Sequence, residues 1–147
     1  MQITASAVSL NVEDVAASQA FFTGHLGFRQ QMAAEGFVSL AREDTGMNIV
    51  FLRRGLETLP DDQRDTHATG LILAFAVEDL EGELARPRGE GVAITMPLTV
   101  EEWGERAVQV TDPNGVIVQF LDWAARPADR AAATGRDSAS GASRSKS

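Results

Sequence analysis

Apolar and polar positions follow two periods along this chain, and each period predicts an element. Alternating runs predict strands near residues 3–11, 28–33, 37–42 and 47–53, and again near 70–77, 92–97, 105–111 and 115–121. After the first strand of each set the spacing turns helical. Near 15–24, Val15, Ser18, Phe22 and Leu26 share one face, and a second helix is expected near 80–86. Asp14 and Asp79 stand where a carboxylate accepts first-turn amides. Gly82 and Pro87 weaken the second helix, and Pro87 should end it within a turn. Asp112-Pro113-Asn114-Gly115 reads as a hairpin turn in which Gly115 takes positive φ.

The two sets repeat each other. Val12-Glu13-Asp14-Val15 recurs as Val77-Glu78-Asp79-Leu80, an offset of 65, and each copy follows an apolar strand-like run and precedes a helix. Gly46-Met47-Asn48-Ile49-Val50-Phe51 matches Gly115-Val116-Ile117-Val118-Gln119-Phe120 at an offset of 69, so four extra positions fall in the second half, in a longer connection around Leu98 to Gly104. The fold class predicted is α+β, built from two β-α-β-β-β modules. Module one spans residues 1–53, a polar linker 54–69, and module two 70–123.

From Ala124 the pattern stops. Residues 124–147, rich in Ala, Ser, Gly and Arg, hold no aromatic side chain, and they are expected to form a disordered tail because they cannot bury enough to offset their ordering entropy. The tail has five basic residues against two acidic ones, a net +3, so of the total charge of −8 the first 123 residues carry −11. An acidic body of this kind argues against nucleic acid as a partner. No apolar run is long enough to span a membrane and no signal peptide is evident, so a cytoplasmic location is expected.

Composition also narrows the chemistry. With 0 Cys and 0 Tyr, thiolates and phenols are absent, which leaves two histidines, the carboxylates, the basic groups and the hydroxyls. His25 falls in a helix-to-strand turn and His67 in the linker, and neither has a second ligand at a spacing that shares its face. Glu43-Asp44 and Asp61-Asp62 read as solvated turns. No Ser or Thr has a neighbouring His outside the linker pair Thr66-His67, so a hydrolase triad is not supported. Glu101, Glu102 and Glu105 flank Trp103, where they either attract a cationic ligand or form a solvated loop.

The strand-then-Val-Glu-Asp-Val entry, Phe21-Phe22-Thr23-Gly24-His25-Leu26-Gly27-Phe28, and Glu102-Trp103-Gly104-Glu105-Arg106 leading to Asp112-Pro113-Asn114-Gly115 resemble the vicinal-oxygen-chelate superfamily over about residues 3–122. That group includes glyoxalase I, extradiol dioxygenases, fosfomycin-resistance enzymes and bleomycin-resistance binding proteins. The resemblance implies modules that curve into a sheet-lined cleft with the helices outside. It places Ala7, Ser9, Asn48, Val50, Ile72 and Gln119 on the cleft side. Metal-dependent members draw ligands from positions matching Ala7, Val50, Ile72 and Gln119; three of these have no ligating atom, so no metal and no other cofactor is expected. Trp103 is expected to stack on a flat ligand, with Arg106 and Gln109 fixing its polar edges, although Trp103 could equally anchor its loop and Arg106 could pair with Glu102 or Glu105. The function expected is a metal-free binding protein that sequesters a partly aromatic small molecule such as an antibiotic, as in the bleomycin-resistance branch. A metal-dependent or acid-base lyase, isomerase or dioxygenase and a non-catalytic accessory or regulatory domain are the alternatives. A homodimer is implied by the same resemblance.

Overall fold

The computed structural model describes residues 1–123; the tail expected at 124–147 lies outside the described residues. The chain forms two compact units. Each contains a four-stranded mixed sheet and one helix, an α+β fold. No helix among the described residues is long and apolar enough to cross a membrane.

The first unit takes residues 1–71 together with 111–116. Its elements are β1 (Ala7–Val12), α1 (Val15–His25), β2 (Arg29–Ala34), β3 (Phe37–Ala41) and β4 (Asn48–Arg53), in the sheet order β1-β4-β3-β2. β1 starts at Ala7 rather than near residue 3, because its parallel partner β4 supplies a ladder only from Asn48 onward. The side chain of Asp14 caps α1 by accepting from the Ala17 amide. One face of the helix buries Ser18, Phe22 and Leu26. Phe22 meets Phe28 edge-on and packs against Phe51 of β4, with ring centroids 5.6 and 5.1 Å apart. Leu10, Val12, Ile49 and Phe51 complete that core, so the intervening residues of β1 and β4 lie on the opposite sheet face.

Two polar clusters tie loops onto this core. Asp112 is buried; it accepts from the amides of Asn114 and Val116 at 2.8 and 2.9 Å and from the Ser18 hydroxyl at 2.5 Å. Asn114 accepts from the Asp14 amide and donates to its carbonyl, while Gly115 takes φ 87° to close the turn. In the second cluster Asn11 donates to the carbonyls of Gln63, Arg64 and Thr66, which holds the linker and its 3-10 turn at Asp61–Gln63.

The second unit holds β5 (Ile72–Ala76), α2 (Leu80–Gly89), β6 (Ile94–Val100), β7 (Glu105–Thr111) and β8 (Ile117–Trp123), in the order β5-β8-β7-β6. Leu80 and Leu84 of α2 pack on Val108 of β7, with Val77, Ile94 and Phe120 around them. The helix runs through Pro87 and stops two residues later at Gly89, because the proline is buried in the last turn. The extra residues of this half lie in the β6–β7 hairpin: both strands have 7 residues, against 6 and 5 in β2 and β3, and the turn at 101–104 is longer than the one at 35–36. β6 is an edge strand that extends to Val100 and shifts register against β7 between Ile94 and Met96 and again between Met96 and Thr99. The turn is closed by the Glu101 amide donating to the Glu105 carbonyl at 2.8 Å.

Candidate functional site

The two-residue period of β7 sorts its side chains into two environments. Arg106, Val108 and Val110 face α2, where Val108 joins Leu80 and Leu84. Glu105, Ala107 and Gln109 therefore face the other side, and there they line a cavity of about 280 Å³. Gln119 of β8 shares its floor, Met96 and Thr99 of β6 form a wall, and Glu101 stands with Glu105 at the turn. The bulges in β6 allow Met96 and Thr99, three residues apart, to point to the same side. Gln109 Nε2 donates to Gln119 Oε1 at 2.9 Å across the floor.

Of the residues expected in a ligand site, this cavity brings together Gln109 and Gln119. Trp103 is exposed on the turn and donates from its indole nitrogen to Glu105 Oε1 at 2.9 Å, so one of the two carboxylates in the cavity lining orients the indole. Arg106 is not brought to the cavity. Lying three residues from Gln109 on the same strand, it points the opposite way, and it binds Asp122 through two hydrogen bonds of 2.7 Å, with Glu81 of α2 at 3.4 Å. Those hydrogen bonds hold the Asp122 carboxyl below the usual carboxylate range against the opposing effect of burial, and they raise the guanidinium above its own. Asp122 also accepts from the Leu80 amide at 3.0 Å, so the ion pair fastens the start of α2 to the sheet. Ile72 is exposed on β5, where its register partner is Ile117.

The expected residues of the first unit form two register pairs, Ala7 with Asn48 and Ser9 with Val50, on the sheet face away from α1. Asn48 donates to Gln31 Oε1 at 3.1 Å, and the same oxygen accepts from Ser39 at 3.0 Å.

Sequence reasoning did not place Met96, Thr99 or Ala107 in a site, and it left Glu101 and Glu105 undecided between a rim and a solvated loop. Alternation along β7 from Gln109 would have found Ala107 and Glu105. The two wall residues had no such signal, because a bulge resets the period without marking the sequence.

The positions that match the superfamily's metal ligands were tested by their donor chemistry. Ala7, Val50 and Ile72 offer only hydrocarbon, and the one side-chain oxygen of Gln119 already accepts from Gln109. Among the described residues no three His, Asp or Glu side chains gather where an ion could be held. These residues do not fit the metal of the metal-dependent members.

No curated protein sequence matches the chain. Among solved structures it is similar to TioX from Micromonospora sp. ML1, at 20% identity and a TM-score of 0.65 over 82% of this chain and 98% of that one. It is similar to TnmS3, described as an antibiotic binding protein, from Streptomyces sp. CB03234, at 20% identity and a TM-score of 0.62 over 84% and 98%. It is also similar to lactoylglutathione lyase from Agrobacterium tumefaciens, at 15% identity and a TM-score of 0.65 over 81% and 92%. A binding protein and an enzyme thus share this fold, which at these identities is all the likeness conveys. A family model matches residues 4–120, most of the chain and nearly all of its described part, and by that match the protein belongs to the glyoxalase/bleomycin resistance protein/dioxygenase superfamily.

Proposed function

We propose that this chain is a small-molecule binding protein that holds a partly aromatic compound, such as an antibiotic, without a metal. The cavity on the second sheet carries this reading. It combines the Gln109–Gln119 amide pair and two carboxylates with the apolar Met96 and Ala107, beside an exposed indole. Polar groups of this kind orient a guest, while the thioether and the indole give a flat ring somewhere to lie. The one hydroxyl in the lining, that of Thr99, donates to the Pro97 carbonyl at 3.2 Å. The fold similarity to TnmS3 is in line with this reading. A homodimer belongs to it as well, on the family resemblance.

The test is a titration of the full-length protein with a panel of flat aromatic antibiotics, followed by tryptophan fluorescence. A binding compound is expected to quench Trp103, and Trp103→Ala is expected to weaken binding by about threefold or more, the worth of one aromatic contact. Unchanged affinity in Trp103→Ala rejects the stacking role. Stoichiometric Fe, Mn, Ni or Zn in the natively purified protein favours the enzymatic alternative instead.

A further inference from the structure

Each glutamine amide offers one carbonyl oxygen and one NH₂ group. The bond between Gln109 and Gln119 uses one oxygen and one N–H. Whichever way the two amides are turned, that single bond leaves a carbonyl on one residue and an NH₂ on the other, both on side chains that line the cavity. Among the described residues no other side chain takes them up. The partner that satisfies both at once has an N–H and a C=O next to each other, as in a carboxamide, lactam or imide. A carboxylate has acceptors only and would meet the glutamine carbonyl with a second oxygen.

The turn supplies the other half of the pattern. Glu101 and Glu105 both line the cavity, and among the described residues neither pairs with a cation. Glu105 is hydrogen-bonded through Oε1 to the Trp103 indole, which leaves Oε2 for a guest. Two carboxylates in a partly enclosed space favour a positive charge more strongly than they would on an open surface. With about 280 Å³ available, one compact guest can reach both ends.

We infer that the ligand of this cavity is a cationic amide, with its amide edge on Gln109 and Gln119 and a protonated or quaternary nitrogen between Glu101 and Glu105. This rests on the cavity being the ligand site, as proposed above, and it adds the chemical class.

The probes are 1-methylnicotinamide, which joins a flat cationic ring to a carboxamide; nicotinamide, which lacks the charge at neutral pH; and trigonelline, which keeps the cationic ring but has a carboxylate for the carboxamide. Each is titrated at low salt into ¹⁵N-labelled full-length protein, with the side-chain amide signals of Gln109 and Gln119 as the readout. The cationic amide is expected to bind about tenfold more tightly than either relative. Glu105→Gln should abolish the preference over nicotinamide, and Gln109→Leu the preference over trigonelline. If nicotinamide or trigonelline shifts those signals at the same concentration as 1-methylnicotinamide, the inferred class is wrong and the site stands. If none of the three moves them, the inferred class is wrong as well, and the antibiotic titration above decides separately whether the site stands.

Discussion

Phe22→Ala is expected to destabilise the protein by about 3–5 kcal/mol, the range for emptying a buried aromatic position. Phe22 is 0% exposed, and its ring touches Phe21, Phe28 and Phe51, so truncation leaves a void bordered by three rigid rings with little freedom to collapse. An 11-residue helix such as α1 is not stable alone and depends on this contact for its place on the sheet. Against a typical total of about 5–15 kcal/mol, the loss takes a large share. Urea unfolding followed by far-ultraviolet circular dichroism measures it, and Phe22→Leu, which fills most of the volume, should cost less than half as much. A loss below about 1 kcal/mol for the alanine variant would mean that the aromatic cluster does not anchor the helix.

Asp112→Ala is expected to cost about 3 kcal/mol or more, by a different route. The carboxylate is 3% exposed and accepts from three donors: the amides of Asn114 and Val116 and the hydroxyl of Ser18. Alanine strands all three in a dry place, at about 1–3 kcal/mol for each donor that water cannot reach. Asp112→Asn keeps one oxygen for the two amides, so its cost should be about 1 kcal/mol. The comparison separates loss of acceptors from loss of charge. Equal midpoints for the alanine and asparagine variants in urea would show that the turn is not held by these hydrogen bonds.

Both of these residues could be picked out before any coordinates, and the reason is local. Phe22 lies on the stripe shared with Ser18 and Leu26, and Asp112 opens a turn whose Pro-Asn-Gly sequence leaves few backbone choices. The face assignments follow equally from alternation: Leu10, Ile49, Phe51, Leu73 and Val118 are buried where a period of two puts them. The cavity was less legible. Gln109 and Gln119 were singled out one by one, but that they are bonded to each other depends on β7 lying next to β8, a long-range pairing. The partner of Arg106 was missed for the same reason. Nearby Glu102 and Glu105 competed for it in the sequence, whereas the strand period turns it toward Asp122, sixteen residues on. Met96 and Thr99 depend on bulges, which insert a residue without a compositional trace.

Ala107 gives the most direct access to the question of whether an organic guest occupies the second sheet, because its small side chain forms part of the cavity floor and makes no contact that α2 needs. Native mass spectrometry of the full-length protein, after incubation with an extract rich in aromatic antibiotics, should show an adduct of roughly a few hundred daltons on the wild type. On Ala107→Phe, which fills the cavity while leaving the circular dichroism spectrum unchanged, the adduct should be absent. An adduct of the same mass and occupancy on both proteins would contradict binding in this cavity.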